Sequence, residues 1–96
     1  MKMIMVICPE KKTEELRSFI EQHDIHYYSE LHDVTGKGEK GPKFGNRIWP
    51  GTSSLIAMVV PDEKKDVLME ALKECRDTLL SEESMHAFVI PVEESF

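Results

Sequence analysis

Cysteine is nearly absent: Cys8 and Cys75 are the only two in 96 residues, too few for a disulfide framework. Long apolar runs are missing as well. Nothing approaches the roughly 18 consecutive apolar residues needed to span a bilayer, and no signal-peptide pattern opens the sequence. A reducing, cytoplasmic setting without membrane insertion is therefore expected. Positive charge is also short, with 12 Lys and Arg against 18 Asp and Glu and a formal charge of −6, which excludes general binding to nucleic acid because phosphate neutralisation needs clustered cations. At 96 residues and 41% hydrophobic content, the chain suits one domain over residues 1–96, with a modest core.

Periodicity divides the chain into six elements. Residues 2–8, KMIMVIC, are a short apolar run closed by Pro9 and read as a buried strand. Thr13 as N-cap, Glu14 and Glu15 in the first turn and a stripe at Leu16, Phe19 and Ile20 predict a helix over 13–23. Residues 25–35 carry enough Tyr and Val to favour a second strand. SLIAMVV at 54–60 is a third, stopped by Pro61. Val67, Leu68, Ala71, Leu72, Cys75 and Leu79 then recur at helical spacing from Asp62 onward. HAFVIPV at 86–92 is a last strand, in which Pro91 suits an edge. The order β-α-β-β-α-β is that of the α+β ferredoxin-like fold, an antiparallel sheet with both helices on one face.

The strands are too apolar for such a sheet in isolation. In the first, Met1, Met3, Met5 and Ile7 alternate with Lys2, Ile4, Val6 and Cys8. In the third, Leu55, Ala57 and Val59 alternate with Ile56, Met58 and Val60. Two helices cover one face only, so a second cover is required, and further copies of the chain are the simplest, which predicts a homo-oligomer.

All five glycines fall between Gly36 and Gly51, in GKGEKGPKFGNRIWPG. GKGEKG matches G-x-G-x-x-G, but Pro42, Phe44, Gly45 and Pro50 follow where a dinucleotide fold opens a helix. Gly36 and Gly38 can still turn backbone N–H groups toward an anion beside Lys37 and Lys40. The alternative is that these glycines simply reverse the chain, though two antiparallel strands need only a few residues for that. Phe44, Ile48 and Trp49 put apolar groups on the same loop, either as anchors for a partner or folded back on their own domain.

The strand ending in SELHDVTGKGEKG, the long loop, the run into VVPDE and the closing FVIPVEE together resemble the PII-like signal-transduction proteins, the nitrogen regulatory protein P-II superfamily. The likeness covers nearly the whole chain. It is strongest at Glu30, Val34, Gly36, Gly38 and Gly41, from Val59 to Asp62, and from Phe88 to Glu94. The resemblance implies a homotrimeric regulator, not an enzyme, with effector clefts between subunits. A small effector, often an adenine nucleotide, orders the extended T-loop, here about residues 36–53. Carried onto this sequence, the cleft is expected at Gly36, Lys37, Gly38, Lys40 and Gly41 with His86 and Phe88, and partner docking at Phe44, Arg47 and Trp49. Departures bear on the ligand. LLSEESMH at 79–86 replaces a glycine- and lysine-rich loop, which puts Glu82, Glu83 and His86 where phosphate-binding groups belong. Glu39 replaces a glutamine, and the loop has no tyrosine. FGNRIWPG resembles a divergent branch associated with heavy-metal efflux pumps, which implies a membrane transporter or efflux system as client.

The soft-ligand inventory supports another function. His23, His26, His32 and His86, with two cysteines and six methionines, allow a transition-metal-binding or metal-tolerance protein, with His26, His32 and His86 as candidate ligands. On one unbroken strand His26 and His32 would share a face but stand about 20 Å apart, too far for one ion within a single chain. Symmetry copies could bring His or Met1, Met3 and Met5 together, whereas methionine as flexible core filling is the simpler reading. No nucleophile–base pair or metal-holding carboxylate pair is legible.

Overall fold

Two apolar strands, β1 (Lys2–Pro9) and β5 (Ser53–Val60), pair antiparallel in the middle of the sheet, from Lys2 opposite Val60 to Pro9 opposite Ser53. The computed structural model describes residues 1–80 and 83–96. A 3-10 turn (Glu10–Lys12) leads from β1 into α1 (Thr13–Gln22), followed by β2 (Ser29–Val34), two short strands β3 (Gly36–Gly38) and β4 (Gly41–Lys43), then β5, α2 (Asp62–Asp77) and β6 (His86–Pro91). The main sheet has the order β2-β5-β1-β6, and β3 with β4 forms a separate hairpin. This is the expected ferredoxin-like fold, with Pro91 closing an edge strand where a missing N–H disturbs nothing.

One side of the sheet is sealed. Ile4, Val6 and Cys8 of β1 and Ile56, Met58 and Val60 of β5 form one cluster with Leu16 and Ile20 of α1 and Leu68 and Leu72 of α2. Membership of both helices in that cluster puts both on the same face, and each buried aliphatic side chain contributes roughly 1.5–3 kcal/mol. The register puts Met3, Met5, Ile7, Leu55, Ala57, Val59, Leu31, Phe88 and Ile90 on the other side. That side is apolar and open: Leu31 is 61% exposed, Phe88 50%, Val59 45% and Ile90 40%.

Four sequence expectations shift, at Thr13, Ile25, Val67 and Leu79. Thr13 is not the N-cap. The preceding 3-10 turn takes that place, and Thr13, buried, donates its hydroxyl to the Glu10 carbonyl (2.7 Å) and lies 2.7 Å from Ser54 Oγ. One hydroxyl proton serves one acceptor, so Ser54 donates in the second contact, and two buried hydroxyls satisfy each other. The second strand begins at Ser29, not Ile25, because Ile25 belongs to the end of α1. Its N–H bonds the Ile20 carbonyl, that of Asp24 bonds Glu21, and Asp24 has φ 62, a Schellman cap with its hydrophobic partner Ile25 buried. Val67 faces solvent at 63% exposure, and Leu79 lies past the end of α2. Cys8 and Cys75 are free. Burial pushes the Cys8 thiol up to about 11 and raises that of Cys75, so both are protonated structural residues.

Asp24 occupies a backbone region where a Cβ is strained by about 1–2 kcal/mol, partly offset by glycine's larger unfolded-state entropy. Asp24→Gly is expected to raise stability by up to about 1 kcal/mol in urea unfolding, with an unchanged m-value.

Candidate functional site

At the end of the sheet from which the loop leaves, the chain encloses a cavity of about 240 Å³. Ile7 of β1 and Ser53 of β5 form its floor, Val34 and Thr35 the exit of β2, and Ser84 and His86 the approach to β6. The remaining wall is the loop itself: Gly36, Lys37 and Gly38 on β3, Lys40 at the turn, and Gly41 and Lys43 on β4. The hairpin exists because Gly36 pairs with Lys43, Lys37 with Pro42 and Gly38 with Gly41. Gly41, at φ 110, makes the turn in a region closed to other residues.

Three lysines around one cavity give it the chemistry of an anion receptor. Gly36 and Gly38 have no positive φ, and a Cβ on either would meet nothing within 4 Å. Nothing in the chain's own packing requires glycine there, and both positions leave the backbone open to close approach from outside the chain. Lys40 Nζ donates to the backbone carbonyl of Glu83. The Glu83 carboxylate turns away from the cavity, where Oε1 accepts the Leu80 N–H (2.9 Å) and Oε2 lies 3.1 Å from Lys11 Nζ. That N–H first, then Lys11, hold its pKa below the usual carboxylate range. Glu83 therefore does not oppose an anion in the way the sequence suggested, because Lys11 neutralises it outside the cavity lining. Glu82 lies outside the described residues.

The sequence profile of the family described as nitrogen regulatory protein P-II matches residues 1–96, the whole chain. The chain belongs to this family. No curated protein sequence matches it. Among solved structures it is similar to CPII, a nitrogen regulatory PII-like protein from Thiomonas intermedia K12 bound to ADP, AMP and bicarbonate, with TM-score 0.73 and 18% identity over 97% of this chain and 88% of that one. A second CPII structure, with ADP and bicarbonate, gives the same values. A protein from Thermus thermophilus described as PII-like and signalling aligns with TM-score 0.62 and 15% identity, over 92% of this chain and 82% of that one. At these identities the likeness is one of fold. P-II proteins are regulators of signal transduction, and the branch linked to heavy-metal efflux is a finer distinction than family membership carries.

Within this P-II chain the expected site residues separate. Gly36, Lys37, Gly38, Lys40, Gly41 and His86 all line the one cavity. Phe88 does not, but its ring stacks near that of His86, with centroids 6.5 Å apart and an angle of 22°. Lys43, Ser53 and Ser84 line the cavity and were missed. The two-residue spacing of Gly41 and Lys43 was the available signal, since alternate residues of a strand share a face. Phe44, Arg47 and Trp49 are exposed on the returning half of the loop. Asn46 Oδ1 accepts the N–H groups of Ile48 (3.1 Å) and Trp49 (2.7 Å), so the turn is built around an asparagine, and Trp49 packs beside Gly41.

The histidines disperse. His26 lies outside β2, with Nε2 3.9 Å from Asp24 Oδ1, which removes the premise of a shared strand face with His32. His32 sits between carboxylates, with Nε2 3.0 Å from Glu30 Oε1 and Nδ1 3.9 Å from Glu10 Oε1, and His86 is in the cavity wall. Among the described residues no group of three or more His, Cys, Asp or Glu is arranged to hold a metal ion, and no helix is long and apolar enough to cross a membrane.

Glu30 joins α1 to β2 through a two-pronged bond, with Arg17 Nε and Nη2 each 2.7 Å from one carboxylate oxygen. Arg17 is the main cause that holds the Glu30 pKa below the ordinary value of 4.5. A carboxylate lowered in the folded state stabilises above its unfolded pKa, and that contribution is lost as pH falls through the folded value. Stability is expected to decline as pH drops below 4.5, and Arg17→Met is expected to flatten that decline in urea unfolding measured across the acid range.

Proposed function

We propose that this P-II family member senses an anionic small effector, an adenine nucleotide, in a cleft completed by a second copy of the chain within a homotrimer, and reports it through loop 36–53 to a client. The observation that carries the reading is that the loop supplies most of the cavity wall, so a ligand held by Lys37, Lys40 and Lys43 also holds the loop. Phosphate oxygens are stronger acceptors for Lys40 than the Glu83 carbonyl it now contacts, so ligand entry exchanges a neutral hydrogen bond for a charge-assisted one. His86, with Phe88 behind it, offers a flat ring surface for a base. The ADP and AMP bound to the similarly folded CPII support the ligand class.

A cavity of about 240 Å³ is small for such a ligand, since small-molecule sites commonly enclose roughly 300–1,000 Å³. A neighbouring copy supplies the missing wall, and the open apolar side of the sheet is the surface on which copies meet. The client is a membrane transport system, met from the cytoplasm by the exposed Phe44, Arg47, Ile48 and Trp49, aromatic and arginine side chains of the kind that anchor interfaces.

Calorimetric titration with ATP, ADP and AMP is expected to show binding that weakens as salt rises. The Gly36→Ala/Gly38→Ala double variant should lose at least about tenfold in affinity while keeping its assembly, because neither added methyl touches the protein. Unchanged affinity in that variant would overturn the cavity as the site. In sedimentation the wild-type protein is expected at three times 11.1 kDa, and Met5→Glu on the open face at 11.1 kDa with an unaltered far-UV spectrum. A wild-type single chain would end the shared-cleft reading.

A further inference from the structure

The bulge in β2 leaves a backbone group to be satisfied. Pairing with β5 is regular to Leu31 opposite Leu55 and resumes at Val34 opposite Ser53, so His32 and Asp33 are out of the ladder, with Asp33 at φ 56. Its N–H is accepted by Glu10 Oε1, from the 3-10 turn after β1. The other oxygen of that carboxylate accepts the Thr52 hydroxyl at 2.9 Å, and the Glu10 N–H bonds the Thr52 carbonyl at 3.1 Å. Asp33 stands just before the loop and Thr52 at its closing end, so one side chain is bonded to both of its stems. The Asp33 N–H bond is also the main cause of the lowered Glu10 pKa, followed by that of Thr52.

We propose that Glu10 is a positioning residue for the loop: through its two carboxylate oxygens it clamps the stems together and so fixes the hairpin that walls the cavity, without itself touching a ligand. Lys43 connects the two regions, because it lines both the anion cavity and the neighbouring cavity of about 330 Å³ that contains Glu10, Thr52 and Lys11. A shift of the stems moves a lysine of the anion site. The consequence for ligand affinity rests on the function proposed above, whereas the clamp itself is testable without any ligand.

The loop carries its own probes: Trp49 is the only tryptophan, and Lys37, Lys40, Lys43 and Arg47 are tryptic sites. Glu10→Ala removes both side-chain bonds and is expected to raise the rate of tryptic cleavage within residues 36–53 about tenfold and to lower Trp49 fluorescence anisotropy. Glu10→Gln retains both bonds, with the amide oxygen accepting from Asp33 and the amide nitrogen donating to Thr52 Oγ, and should stay within about twofold of wild type. Thr52→Val removes one bond, should fall between them, and carries the test if Glu10→Ala fails to fold. A Glu10→Ala protein as closed as wild type, a Gln variant as loose as the Ala variant, or a Thr52→Val protein indistinguishable from wild type each overturns the clamp. With the clamp confirmed, ADP titration of Glu10→Ala should show an affinity loss that Glu10→Gln does not. Failure of wild-type protein to bind any adenine nucleotide would instead overturn the anionic-effector reading and leave the cleavage and anisotropy results standing.

Discussion

Two helices cover one face of a four-stranded sheet and no more, while the two central strands of this sheet are apolar on both faces. β1 and β5 place Ile4, Val6, Ile56 and Met58 under the helices, and the two-residue alternation then sends Met3, Met5, Leu55 and Ala57 to the opposite side. A shift of one residue in either register would exchange the two sets and put the half-exposed Val59 under the helices in place of Val60. The same register determines where the chain enters and leaves the loop. Ile7 and Ser53, diagonal neighbours on one face of the β1–β5 pair, form the floor of the cavity, and His86, opposite Ile7, closes it.

The loop is built differently from the sheet it stands on. Short polar bonds and turn geometry hold it, with no apolar core of its own: a three-pair hairpin, a turn around Asn46, Lys40 on the Glu83 carbonyl and Glu10 across the stems. Such contacts are individually worth about 1 kcal/mol, which leaves the segment less firmly held than the packed sheet beneath it. Segments that change conformation on binding come from the low-stability part of a fold, and here that part is also the cavity wall.

Much of the candidate site was legible because glycine and lysine concentrated in one short run have few structural uses. Gly36, Lys37, Gly38, Lys40 and Gly41 are neighbours in sequence, so any compact folding of the run brings them together. His86 is distant in sequence, and the likeness to P-II proteins, not spacing, brought it into the expected set. Lys43, Ser53 and Ser84 went unnoticed because each joins the site through strand pairing. Glu10 carried no signal at all: an acidic residue after a strand-ending proline reads as solvated charge until the bulge at Asp33 gives it a partner.

The order of strands and helices, the sealed and open faces and the position of the loop were set by hydrophobic period and by Pro and Gly punctuation, which are local and survive in a linear reading. Where β2 begins was not, because the Ile25 side chain that looks like the first residue of a strand is the hydrophobic partner of a helix cap. Nor could the sequence show that Glu83 would be neutralised by Lys11, or that one carboxylate would join residues 33 and 52. Those are contacts between side chains far apart along the chain, and their energy depends on distances that exist only once the sheet has closed.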